Sequence, residues 1–376
     1  MPLTIADVLP AAVAVLGGPG RPDQLELPEV RTRLALPDVR RIAVLLVDGL
    51  GYHLLPAAGA AAPVLADIQM GRLGRLTEIA SCFPSTTPTS LVSLGTGAQP
   101  GEHGVLGFTV KVPRRRRVLT HIDWQHRPDP ARWQPLPTQF ELAARAGIGS
   151  AVVSRPEFEG SGLTVAAYRG ARFVGAADPD ALVSGILAEL TGSAPLVYGY
   201  HATLDTMAHR EGIDSDQWRT AAREVGRLIE QLIDGLPADA ALLVTADHGG
   251  VDVPADRRID MDADRRLGAG VRVVAGEPRV RYLHTRRGAR DDVLAAWREV
   301  LGPAAQVVSR DDAVAAGWFG PVPDAHRARI GDVVVVCRDD YVVLAGQHEP
   351  APVSRLVAFH GSMTPAETAI PLFVYP

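Results

Sequence analysis

Several short apolar runs along the chain stop abruptly at polar clusters. RIAVLLV ends at Asp48 and a glycine turn, a strand beginning near Leu196 leads on to Asp205 and His209, and Ala241 to Thr245 leads into Asp247, His248 and two glycines. Apolar on both faces, such runs read as central strands of a mostly parallel sheet. Between them lie helical patterns. TQFELAARAG opens on a threonine cap and closes at Gly147, and DPDALVSGILAELTG and DQWRTAAREVGRLIEQLIDG behave alike. The alternation predicts an α/β fold, a doubly wound, mostly parallel sheet.

In such sheets ligands collect beyond the carboxyl ends of the strands, where Asp48, Asp205, Asp247 and His248 are expected. Each has a plain structural explanation on its own. Asp before Gly is a common turn pair, and Asp205 and His209 share a helix face if that segment is helical. Together at one sheet edge they point to a site. His360, in VAFHGSMTP after another apolar run, adds an imidazole. Asp and His without cysteine suit Zn²⁺ or Mn²⁺, and the six side chains would supply three ligands to each of two ions.

The segment Ser81 to Gly97, SCFPSTTPTSLVSLGTG, is rich in hydroxyls. Thr87 precedes Pro88, which favours the first helical position, so Thr87 is expected as the N-cap. The same helix start presents free N–H groups and partial positive charge to a hydroxyl or a phosphoryl oxygen.

The ordered set LLVDGLG, CFPSTTPTSLVSLGTGAQPGEHGVLGF, LDTMAH, TADHGG and FHGSMTP resembles the alkaline phosphatase superfamily, within it the type I phosphodiesterase/nucleotide pyrophosphatase family. The resemblance implies an alkaline-phosphatase-like fold and a two-zinc hydrolase that forms a covalent phospho-threonine or phospho-serine. Carried over, it implies Asp205, His209 and His360 on one zinc. On the other it implies Asp48, Asp247 and His248 together with the nucleophile. Counting back from SLGTG places that nucleophile on Thr87, with Thr86 as the rival. Ser90 stands where the family places an Asn that holds a phosphoryl oxygen. The related sulfatase pattern is broken, because Thr86 occupies the position of its Arg.

The expected substrate is a small phosphodiester or nucleotide, with Phe108, Trp124, Phe158 and Tyr168 as candidate stacking aromatics. The alternatives are a phosphomonoesterase or phosphonate hydrolase of the same superfamily, or a metal-stabilised binding protein of low turnover. Residues 256–345 read as an inserted α+β cap subdomain that shapes access or covers a sheet edge. Residues 1–255 and 346–376 then form the catalytic core.

Composition narrows this picture only at its margins. The 376 residues are 47% hydrophobic with a net charge of -5, which gives no general affinity for nucleic-acid polymers or membrane surfaces. The basic run Arg114 to Arg117 is expected in a solvated hairpin. Cys82 and Cys337 form no disulfide framework, and with no membrane span expected the compartment is read as cytoplasmic. The N-terminal apolar stretch lacks a signal peptide's positive start and is expected as an amphipathic surface helix. Lys111 is the single lysine, and heavy Ala and Arg usage suggests a GC-rich bacterial genome.

Overall fold

A computed structural model describes residues 3–19, 29, 32–124, 127–349 and 351–376. Seven strands form the central sheet: β1 Arg41–Val47, β2 Arg75–Ala80, β3 Ser150–Ser154, β4 Arg172–Gly175, β5 Leu196–His201, β6 Ala240–Thr245 and β7 Ala369–Tyr375. Their order is β2-β7-β6-β1-β5-β3-β4. Only β7 runs against the rest, pairing antiparallel with both β2 and β6.

The central strands are apolar throughout because both faces are covered. Every residue of β6 is buried, as is all of β1 after Arg41. Such positions are intolerant of truncation: Leu45→Ala is expected to cost about 2–5 kcal/mol. Ser215 caps the long helix Asp216–Gly235, whose buried residues include Trp218, Val225 and Ile229. Thr138 and Asp178 cap the helices Gln139–Arg145 and Pro179–Thr191.

Residues 256–345 contain a four-stranded antiparallel sheet of Val271–Glu277, Val280–Thr285, Val333–Cys337 and Ala305–Ser309. The helix Arg290–Leu301 packs Trp297 into a separate apolar cluster with Leu283, Val335 and Val343. Buried Arg279 and Glu367 join this sheet to the segment leading into β7, with Nε to Oε1 at 2.9 Å and Nη2 to Oε2 at 2.6 Å.

Arg114 to Arg117 form the exposed end of the hairpin Thr109–Lys111/Val118–Thr120, as expected. Both cysteines are free and buried. The N-terminal helix α1, Val8–Val15, departs from expectation: Val8 to Val13 are all buried. Its alanines and valines leave no polar face to turn outward, which is the pattern of a core helix. Among the described residues, no helix is long and apolar enough to cross a membrane.

Candidate active site

Register brings the carboxylates together. Val47 pairs with His201 and Leu46 with Thr245, so Asp48 and Asp247 leave adjacent strands at the same level. The backbone N–H of Gly49 donates to Oδ1 of Asp247 at 3.1 Å. Gly49 has φ +74, and a Cβ there would lie 2.8 Å from Cβ of Asp205, so the turn requires glycine twice over. Beyond β5, the helix α2 Thr203–Glu211 carries Asp205 and His209 on one face, 3.2 Å apart. A two-residue ladder between Ala358–Phe359 and Val251–Asp252 then carries His360 back to the site.

Two groups of three result. Asp205, His209 and His360 have ligand atoms within 4.8 Å of one another, and Asp48, Asp247 and His248 do likewise. The His248 and His360 rings stack at 3.5 Å and link the groups. Nδ1 of His209, His248 and His360 donates to the carbonyls of Ala358, Gly249 and Ser85 at 2.8, 2.9 and 2.9 Å. These bonds fix the tautomers and turn each Nε2 toward the cluster.

The donors fit divalent cations. Nε2 of His209 and of His360 face each other at 3.2 Å, an arrangement that calls for a proton or a metal cation between the lone pairs. Oδ1 of Asp48 and Oδ2 of Asp247 are buried without a hydrogen-bond partner. Burial, with Asp247 and Asp205 nearby, pushes the Asp48 carboxyl well above the usual range. Burial and the Asp205 charge raise Asp247 to about 6. Asp205 is held low: burial opposes its ionisation, but the His209 charge prevails. Burial opposes the His209 charge too, yet Asp205 raises it to about 9. Burial and His248 lower His360 to about 3. Carboxylates crowded into a largely buried site against mostly neutral imidazoles lack positive charge, which is what a pair of divalent cations brings.

The hydroxyl segment lies beside these groups. Helix α3 spans Thr87–Thr96, and its N-cap is Thr86 in extended conformation. The expected cap is therefore displaced by one residue. Thr87 is the first helical residue and Pro88 the second, where proline's missing N–H and fixed φ are equally tolerated. Oγ1 of Thr87 lies 3.1 Å from Nε2 of His248 and faces the cavity described below. Thr86 is 1% exposed and engages the buried carboxyl of Glu277 instead.

Ser90, expected beside a phosphoryl oxygen, is fully buried. Its hydroxyl lies 3.1 Å from Oγ of Ser81 and 3.3 Å from Sγ of Cys82, and it does not line the cavity. The short side chain finds its partners within the core. Ser81 in turn bonds the backbone carbonyl of Asp247, so Ser90 buttresses a strand end.

A cavity of about 470 Å³ opens beside the cluster, lined by Phe108, Phe158 and Tyr168 as well as by Thr87 and His360. Trp124, expected among the aromatics, is 1% exposed and packs against His121 and Trp133 in a different cluster. No described cavity residue comes from 256–345. Two features went unread in the sequence: Phe173, which also lines the cavity, and Tyr200, which does so while its hydroxyl donates to Oδ2 of Asp48. Tyr200 sits one residue before the end of β5, the position that could have drawn notice to it.

A doubly wound sheet with this edge of carboxylates and imidazoles is the fold of the alkaline phosphatase superfamily. More particularly, residues 42–363 match the family profile "Type I phosphodiesterase / nucleotide pyrophosphatase", and the chain belongs to that family. Among solved structures it is similar to murine ectonucleotide pyrophosphatase/phosphodiesterase 5, with TM-score 0.71, 17% identity, and coverage of 89% of this chain and 88% of that one. An inactive threonine-to-alanine variant of the murine protein, in complex with AMP, gives TM-score 0.71 at 18% identity, covering 89% and 87%. Phosphonoacetate hydrolase from Sinorhizobium meliloti 1021, in complex with phosphonoformate, gives 0.69 at 21% identity, covering 90% of each chain. No curated protein matches the chain. The family indicates a hydrolase of the phosphodiesterase/pyrophosphatase type.

Proposed function

We propose that the protein is a two-metal phosphodiesterase in which Thr87 is the nucleophile. The observation that carries this reading is the position of Thr87 Oγ1. It stands at a helix start, 3.1 Å from His248 and beside two three-donor groups. The inactivity of the murine threonine-to-alanine variant supports a threonine in this role.

Zinc ions held by Asp205, His209 and His360 and by Asp48, Asp247 and His248 with Thr87 would supply the charge that lowers the hydroxyl pKa and stabilises the departing oxygen; manganese suits the same donors. Thr87 Oγ1, its proton lost to solvent, forms a bond to phosphorus as the opposite phosphorus–oxygen bond breaks. The alkoxide or phosphate leaving group carries away that electron pair. The N–H groups at the start of α3 face the gathering negative charge. Water then attacks the phospho-threonine from the vacated side, releases the product and restores Thr87, with net retention at phosphorus.

The test compares hydrolysis of bis-p-nitrophenyl phosphate, p-nitrophenyl phosphate and thymidine monophosphate p-nitrophenyl ester, with Zn²⁺ or Mn²⁺ and after EDTA. Metal-dependent diester cleavage lost in Thr87→Ala but retained in Thr86→Ala is the expected result. Loss confined to Thr86→Ala moves the nucleophile by one residue. Preference for the monoester would place the enzyme among the phosphatases, and absent turnover with metals bound would leave a binding protein.

A further inference from the structure

The cavity beside Thr87 is mostly apolar. Its walls include Val152 on β3, Phe173 on β4, Phe158 and Leu163, its polar lining away from the two three-donor groups is largely hydroxyls such as those of Ser161 and Thr164, and none of its described lining residues is Lys or Arg. Among the described lining residues, the only charged one outside the two three-donor groups is Asp123, an exposed carboxylate. Its neighbour Ile122 also lines the cavity and is 49% exposed, one of only two large apolar side chains so placed among the described residues. A volume of about 470 Å³ is ample for a ring or a short alkyl chain.

From these features we infer that the substrate's ester substituent is uncharged and apolar, a single aromatic ring or a short alkyl group, seated between Val152, Leu163 and Phe173. The inference rests on the assignment of the phosphoryl position to Thr87 and the two metal-binding groups. An anionic substituent, whether a carboxylate or a further phosphate, seated away from the two three-donor groups would be buried against mostly apolar walls with no lysine or arginine among the described lining residues to pair with it. The desolvation of such a charge outweighs what apolar contact returns. Asp123 adds like-charge repulsion. An apolar substituent meets none of these penalties and covers apolar surface that otherwise contacts water.

Binding of phosphonates to the zinc-loaded full chain tests this without relying on turnover. Titration calorimetry would compare methyl-, propyl-, butyl- and phenylphosphonate with phosphonoacetate. Affinity should rise roughly fourfold for each added methylene, phenylphosphonate should match the longer alkyl chains, and phosphonoacetate should bind no better than methylphosphonate. In Leu163→Trp, which fills the cavity, the ratio of butyl to methyl affinity should collapse toward one. In Phe173→Ala, which enlarges it, the preferred chain should lengthen. Each ratio is internal to one variant, so partial loss of folded protein leaves it readable.

Flat affinity across the series, or tightest binding by phosphonoacetate, would overturn the inference while leaving Thr87 and the metal groups in place. If no phosphonate binds to a protein that holds its zinc, the phosphoryl site itself is misplaced, and both readings fall.

Discussion

Tyr200 donates a hydrogen bond to Oδ2 of Asp48, and the other oxygen of that carboxylate, buried and otherwise unpartnered, lies 3.4 Å from Nε2 of His248. The phenol thereby occupies one lone pair of Asp48 and leaves the other facing the cluster. It also opposes the upward shift that burial imposes on this carboxyl. Tyr200→Phe keeps the ring and removes only the donor. Zinc affinity, measured by competition with a chelator, is expected to fall by roughly 10- to 100-fold while the melting temperature stays close to wild type. Unchanged affinity would show that the phenol does not orient Asp48.

Metal loading should release protons. At pH 7 the cation-free cluster holds one on Nε2 of His209, which the Asp205 charge raises to about 9 against the opposing effect of burial. That proton must leave before the nitrogen can bind a cation. Apparent affinity should therefore fall as the pH drops, and activity with it, giving a neutral-to-alkaline optimum. Calorimetry of zinc binding in buffers of different ionisation enthalpy reads the released protons directly. Release at pH 7 that diminishes above about pH 9 is expected, and a buffer-independent heat would contradict the proposed ligands.

The sheet edge was legible in the sequence because it depends on local pattern. A buried parallel strand must be apolar along its length, so the first polar residues mark its end, and Asp48 and Asp247 announce themselves. His209 follows Asp205 by one helical turn. What depends on side-chain direction was not legible. Thr86 and Thr87 are chemically identical, and only the backbone decides which caps and which faces the cavity. Ser90 turned inward because Ser81 and Cys82, both upstream of the helix, offer partners there. Trp124 joined Trp133 rather than the cavity. In α1 the run of alanine and valine has no polar face to expose, so the helix lies in the core and not at the surface.

Glu277 places a buried carboxyl under the start of α3. Phe108 N–H donates to it at 3.1 Å, and a Cβ on Gly361, where φ is +132, would come within 2.9 Å of its Cγ. Burial raises this carboxyl from 4.5 to about 8. The folded state thus binds the proton more tightly than the unfolded one. The neutral group's full contribution is present below about pH 4.5, stability declines as the pH rises through about 8, and it levels off above that. Glu277→Gln keeps the shape and removes the charge. It is expected to stabilise the protein at pH 8.5 by on the order of a few kcal/mol and to have little effect at pH 5. Thermal unfolding at the two pH values decides the matter, and an equal effect at both would contradict it.

The Arg279–Glu367 pair ties the four-stranded sheet to the loop after His360. Glu367 Oε1 also accepts from Ser362 N–H at 2.9 Å, and Arg279 donates to the carbonyls of Asp339 and Tyr341. Both side chains are fully buried, so removing either one strands the other's charge. Arg279→Ala is expected to cost about 3–5 kcal/mol in urea unfolding, whereas Arg279→Met with Glu367→Gln should cost much less. Because Glu367 holds Ser362, two residues beyond His360, the single variant should also weaken zinc binding under conditions where it stays folded. Chelator competition on Arg279→Ala in the absence of urea measures that effect. Wild-type zinc affinity there would confine the pair to stability and separate the four-stranded sheet from the chemistry of the site.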